Sequence, residues 1–88
     1  MSGDLDSRRK KLLYRASYRG FKEADILIGF FARTHLAGMS EQDLDEFEML
    51  LSLNDRDLYD WATGKKEPPA NVKGPVLEKL CAFDLQAG

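Results

Sequence analysis

The sequence predicts an all-α domain, a compact five-helix bundle, and three observations carry that expectation. Apolar residues recur at three- and four-residue spacing in successive stretches, which is the period of an amphipathic helix. Gly20, Gly38 and Gly64 fall between those stretches, where chain reversals are needed. No stretch alternates apolar and polar residues as a half-buried strand does. With 88 residues, the chain suffices for one domain with one core, read as residues 1–88 with its ordered part at about 6–86.

The first helix is expected over Asp6 to Tyr18. Leu12, Leu13 and Ala16 share a face, Leu5 lies one heptad before Leu12, and Arg8, Arg9, Lys10, Lys11 and Arg15 are expected to be solvated. A tight break follows at Arg19-Gly20, because glycine tolerates the left-handed conformation that commonly ends a helix. The next stretch, with Ala24, Ile26, Leu27, Ile28, Phe30 and Phe31, is apolar around much of its circumference. It therefore reads as a central helix contacted on several sides, ending by Gly38.

Ser40 precedes Glu41-Gln42-Asp43 and fits an N-cap whose hydroxyl oxygen accepts a backbone N–H, so a third helix should start at Glu41. Its inward stripe is Leu44, Phe47, Leu50 and Leu51. Asn54-Asp55-Arg56-Asp57 offers a second cap, for a short helix bearing Leu58, Trp61 and Ala62 and closed by Gly64. Lys65 to Gly74 holds Pro68 and Pro69 and reads as a surface connection. Pro75 suits the first turn of a fifth helix running to about Leu85, with Val76, Leu77, Leu80, Cys81 and Leu85 inward and Glu78, Lys79 and Gln86 outside.

Charge and composition exclude several functions. Thirteen basic residues against fifteen acidic ones give a net charge of -2, which supplies no general attraction for nucleic acid. A single cysteine and a single histidine do not build a structural zinc site or an intramolecular disulfide. No apolar run approaches the roughly 20 residues that span a bilayer, so an integral membrane protein is not expected. The start, Met-Ser-Gly-Asp-Leu-Asp, has neither a secretory apolar stretch nor an Arg-rich leader. The expected location is a bacterial cytoplasm, or the mitochondrial matrix for a processed eukaryotic form.

Enzymatic constellations are sparse. His35 stands alone and reads as a solvated or helix-terminal residue, while Cys81 reads as a core packer. Glu46 and Glu48 read as a wet helix face. More informative is Arg19-Gly20-Phe21-Lys22-Glu23, where a glycine at a helix junction is flanked by a cation and an anion and leaves room for a partner's backbone. Its plainer reading is a C-cap glycine and a first-turn acid. Asp55, Asp57, Leu58, Tyr59 and Trp61 form a second cluster. Trp61 shares the inward face with Leu58, and Tyr59 is the better surface candidate. The basic run Arg8 to Lys11 reads as a solvated face; if it meets an acidic partner or phosphate group, its effect would fall mainly on association rate and salt dependence.

Taken in order, Arg8-Arg9-Lys10-Lys11-Leu12-Leu13-Tyr14-Arg15, Arg19-Gly20-Phe21-Lys22-Glu23, Phe30-Phe31 and Asp55-Arg56-Asp57-Leu58-Tyr59-Asp60-Trp61 resemble the SdhE family of succinate dehydrogenase assembly factors. The resemblance covers about Arg8 to Gly64 and continues more loosely to the last helix. The family's RGxxE signature falls on Arg19, Gly20 and Glu23, and its acidic-aromatic segment on Asp55, Asp57, Leu58, Tyr59 and Trp61. Two departures are Phe21, where many members have methionine, and Tyr18, where a second basic residue is common.

The resemblance implies a helical bundle, monomeric when free, that binds the flavoprotein subunit of succinate dehydrogenase and promotes autocatalytic attachment of FAD to a histidine of that subunit. Fumarate reductase's related flavoprotein is a further client to consider. The chain itself would do no bond chemistry and hold no stable cofactor, since the FAD belongs to the partner. Arg19, Gly20, Glu23, Asp55, Asp57 and Tyr59 are the expected partner-binding residues, with Gly20→Arg expected to fold yet lose the partner. The rival reading from another class is a small helical nucleic-acid-binding or regulatory interaction module. A third reading is an enzyme using His35 or Cys81.

Overall fold

Helix α1 (Ser2–Ser17) opens the chain in the computed structural model, which describes residues 2–83 and side chains from Leu5 onward. It starts before the expected Asp6 and buries Leu12 and Ala16 as expected. Its arginines are not simply solvated. Arg8 donates to Asp45 at 2.6 Å and to Glu48 at 2.9 Å, hydrogen bonds that push its pKa further up. Arg15 lies 3.9 Å from Glu48. Arg9 donates to the carbonyl oxygens of Leu36 and Met39 at 3.0 and 2.9 Å, satisfying acceptors left over where the next helix ends. Lys10 and Lys11 do remain exposed.

Helix α2 (Lys22–His35) buries Ala24, Leu27, Ile28, Phe31 and Ala32, then tightens into a 3-10 turn at Leu36–Gly38. The expected contact on several sides is present, but Ile26 and Phe30 stand 48% and 49% exposed. The Phe83 ring, 6.3 Å from that of Phe30, covers that side only in part. His35 is helix-terminal as expected, with its ring 4.7 Å from that of Phe31.

Helix α3 (Glu41–Leu51) begins with a reciprocal cap: Ser40 Oγ accepts from Asp43 N–H, and the Asp43 carboxylate accepts from Ser40 N–H. Its buried stripe is Leu44, Phe47, Leu50 and Leu51, as predicted. Helix α4 (Asp55–Ala62) is capped by Asn54 Oδ1, which accepts from Arg56 and Asp57 N–H at 2.9 and 3.2 Å. Leu58 and Trp61 are buried, and Gly64 closes the helix with Gly64 N–H donating to the Trp61 carbonyl.

The connection from Lys65 to Gly74 is less open than expected. It contains a 3-10 turn at Ala70–Val72, and Val72 is buried in the core. Helix α5 (Pro75–Ala82) buries Val76, Leu77 and Leu80. Phe83 is already extended, so the helix stops short of the expected Leu85, while Leu85 and Gln86 lie outside the described residues.

Two sequence expectations about α5 and its support are overturned. Cys81 is exposed rather than core. It sits in the last turn, where its Sγ donates to the Trp61 carbonyl at 3.4 Å. Glu46 is not on a wet face: its Oε2 accepts from Val76 and Leu77 N–H at 3.1 and 3.0 Å, capping α5 from α3. A Cβ on Gly74 would lie 2.6 Å from that oxygen, so the close approach requires glycine there.

The bundle is thus all-α, with no strand among the described residues. Phe31 and Phe47 are fully buried with ring centres 5.9 Å apart at the centre of the core. Truncating either to alanine would cost about 3–5 kcal/mol.

Candidate partner-binding site

The α1–α2 turn is built around glycine and two ion-pairing side chains. Gly20 adopts φ +144°, a conformation that side-chain-bearing residues rarely take. Asp25, one turn into α2, reaches back and accepts from the backbone N–H groups of Arg19 and Gly20, the latter at 3.3 Å. That bond fixes the turn relative to α2. Phe21, the N-cap of α2, has no side chain able to cap it and instead turns outward to α4.

Arg19 faces inward. Its side chain is 7% exposed, its Nη2 lies 2.5 Å from Asp55 Oδ1, and the same nitrogen donates to the Leu53 carbonyl at 3.3 Å. Its Nε is buried without a hydrogen-bond partner among the described residues. The pair ties the α1–α2 turn to the start of α4, and Asp55 also stands in the first turn of that helix, where its charge favours the helix dipole. Arg19 and Asp55 therefore hold the site's shape rather than presenting charge to a partner.

Gly20 lies directly over this pair: an added Cβ would meet Asp55 Oδ2 at 2.8 Å. Gly20→Arg, expected to fold yet lose the partner, would also strain the backbone at this φ and press on the ion pair.

Glu23 is exposed in the first turn of α2, and its carboxylate makes no hydrogen bond or ion pair among the described residues. Asp57 is half-buried; its backbone N–H donates to the Asn54 cap, and its carboxylate makes no hydrogen bond or ion pair among the described residues. Tyr59 is half-buried against Phe21, with ring centres 5.4 Å apart and edge-to-face. Arg56 covers the other ring at 4.5 Å from the Phe21 centre, and Lys65 lies 5.6 Å from the Tyr59 centre.

The structure thus joins Arg19, Gly20 and Asp55 in one cluster and links Tyr59 to the turn through Phe21. No contact binds Glu23 or Asp57 to that cluster. Sequence reasoning missed Arg56 and Lys65, whose cation–aromatic contacts depend on how α4 meets the turn. It also missed Asp25, although an acid six residues beyond Arg19 was visible as a first-turn residue of α2.

Chemically the corner offers a free carboxylate, exposed backbone at Gly20 and a layered aromatic and cationic edge. No group of three or more His, Cys, Asp or Glu residues able to hold a metal occurs among the described residues.

The sequence pattern of the family described as "Flavinator of succinate dehydrogenase" matches residues 10–84. This chain belongs to that family. Among relatives of the flavinator family, the "Succinate dehydrogenase assembly factor 2, mitochondrial" of Danio rerio is 40% identical over 81 residues, covering 90% of this chain and 51% of that protein. The protein of the same name from Debaryomyces hansenii is 42% identical over 85 residues, covering 93% and 60%. The "FAD assembly factor SdhE" of Acetobacter pasteurianus is 35% identical over 77 residues, covering 88% and 71%.

The chain spans about half the length of the mitochondrial flavinator relatives it matches. The family resemblance read from the residues is correct, and membership does not favour the nucleic-acid reading. No described helix is long and apolar enough to cross a membrane.

Proposed function

We propose that this chain is an assembly factor that binds the flavoprotein subunit of succinate dehydrogenase and promotes the covalent attachment of FAD to it. The observation that carries this reading is the family match across residues 10–84, which includes the whole Arg19-Gly20-Glu23 signature and the Asp55–Trp61 segment. The FAD belongs to the partner, whose own histidine is flavinylated autocatalytically, and the chain acts as a monomer that positions rather than reacts. The setting is a bacterial cytoplasm or the mitochondrial matrix.

Within this reading the roles divide by exposure. Arg19 and Asp55 rigidify the α1–α2 turn, Gly20 lets partner backbone approach, and Glu23 supplies the free carboxylate that engages a cation or polar group near the flavin site. Tyr59 and Asp57 extend the contact along α4. A partner held this way loses less conformational freedom at the reacting centre when the flavin bond forms.

The test is co-expression with the flavoprotein subunit, scoring complex formation and covalent flavin by in-gel fluorescence, with wild type and Glu23→Ala. Wild-type-dependent fluorescence that falls in Glu23→Ala is the expected result. Absence of both a complex and any gain in covalent flavin with the wild type would end the proposal. Fumarate reductase's flavoprotein, run in parallel, defines the client range.

A further inference from the structure

A second surface lies on the outer faces of α1 and α2, beside the α1–α2 turn. Tyr14 and Tyr18 are 66% and 68% exposed, with ring centres 4.6 Å apart and planes tilted by 39°, and Ile26 and Phe30 on α2 are half exposed. Between the helices runs a shallow groove of about 300 Å³, lined by Tyr18, Lys22, Ile26, Phe30 and Arg33, and an adjoining cleft continues it past Tyr14 and Lys10. So much aromatic and aliphatic surface exposed on one side of a small domain marks an interaction face.

The charges on this face point to the occupant. Lys10, Lys22 and Arg33 line the groove and make no ion pair among the described residues, whereas Arg8, Arg15 and Arg19 are each matched to carboxylates. The acid in the groove, Asp25, is already engaged by the backbone N–H groups of Arg19 and Gly20. Glu23, next to Lys22 in the sequence, is exposed but is not among the residues lining the groove. A chain with net charge -2 therefore presents a locally cationic, aromatic groove. A second copy fits poorly, because a symmetric pair would bring the same cations against one another.

We infer that the groove between α1 and α2 docks an acidic segment of the flavoprotein partner, one whose carboxylates meet Lys10, Lys22 and Arg33 while its apolar side chains cover Tyr18, Ile26 and Phe30. The inference rests on the proposed function and adds a second contact to it. The Glu23 corner acts at the flavin site, and this groove governs capture and residence of the partner. Unpaired rim cations act chiefly on association rate, and the aromatic floor on dissociation.

The experiment measures association and dissociation rates of the full chain with the purified flavoprotein subunit at low and high salt. It compares wild type, Lys10→Glu/Arg33→Glu, the neutral Lys10→Gln/Arg33→Gln, and Tyr18→Ser/Phe30→Ser. The charge reversal is expected to slow association about tenfold at low salt and to flatten the salt dependence, with the neutral pair intermediate. The Ser pair is expected to speed dissociation about tenfold. Should the reversed chain lose helicity, the neutral pair decides.

Wild type that binds, with rates unmoved by all three variants, overturns the groove alone. Wild type that does not bind overturns the proposed function and the groove with it. Concentration-dependent dimerisation of the free chain that the Ser pair abolishes, or displacement of the subunit by a random-sequence DNA duplex, would overturn the assigned occupant.

Discussion

Arg19 Nη2 lies 2.5 Å from Asp55 Oδ1, joining two segments 36 residues apart and closing the α1–α2 turn onto the start of α4. The arginine is almost fully buried while the aspartate keeps a partly wet side, so the pair is asymmetric in its desolvation. Its second acceptor is the Leu53 carbonyl, and its Nε has no partner among the described residues, so few groups hold the guanidinium. Such a pair fixes geometry more than it adds net stability.

Removing one member should therefore hurt more than removing both. Asp55→Ala leaves a buried guanidinium with little but one carbonyl, and a destabilisation of about 2–4 kcal/mol is expected by urea denaturation. In Arg19→Met/Asp55→Ala the loss should shrink to about half of that. A double variant as unstable as the sum of the singles would mean that the two side chains do not act as a pair.

Gly20 and Glu23 should separate cleanly in stability. Gly20→Ala places a Cβ against Asp55 at positive φ, for an expected cost of about 1–3 kcal/mol. Glu23→Gln alters an exposed carboxylate with no partner among the described residues and should move stability by no more than about 0.5 kcal/mol. Thermal melts of the two variants check this. A Glu23→Gln melt as low as that of Gly20→Ala would make Glu23 a structural cap and remove it from the partner surface.

Much of this was legible because it is local. The Ser40 and Asn54 caps, the Leu44-Phe47-Leu50-Leu51 stripe and the breaks at Gly20, Gly38 and Gly64 depend on neighbours within one helical turn, which periodicity and capping chemistry report directly. What failed was long-range. Glu46 looked like any exposed acid until α5 arrived 30 residues later, and Cys81 lay on an apolar stripe yet is exposed in the last turn of α5. The candidate site divides the same way. Its residue types were readable in Arg19, Gly20 and Glu23, but that Arg19 points inward is set by Asp55 on another helix.

Cys81 offers a pH-dependent check on that second failure. Partial burial, and then the nearby Glu78 carboxylate, push its thiol pKa up. A raised pKa means less thiolate at any given pH, so alkylation should begin at higher pH in the folded chain than in the urea-unfolded chain. Iodoacetamide rates measured from about pH 7 to about pH 10 give both profiles. A folded profile that coincides with the unfolded one, or lies at lower pH, would contradict the environment described for α5.

Glu46 and Gly74 supply the strictest test of the packing between α3 and α5. Glu46→Ala removes the acceptor of two backbone N–H groups at the start of α5 and should cost about 1–2 kcal/mol. Gly74→Ala should cost a similar amount for a different reason. Its backbone, at φ -175°, is open to any residue, but the new Cβ would meet the Glu46 carboxylate at 2.6 Å. With Glu46 already truncated the collision disappears, so adding Gly74→Ala to Glu46→Ala should be close to neutral. Because glycine is also the more flexible residue in the unfolded chain, the second substitution can even be slightly stabilising. A double-mutant cycle by urea denaturation reads this as a coupling of about 1–2 kcal/mol between the two positions. Strict additivity would mean that the carboxylate does not sit over Gly74 in solution, and α5 would then begin without its cap.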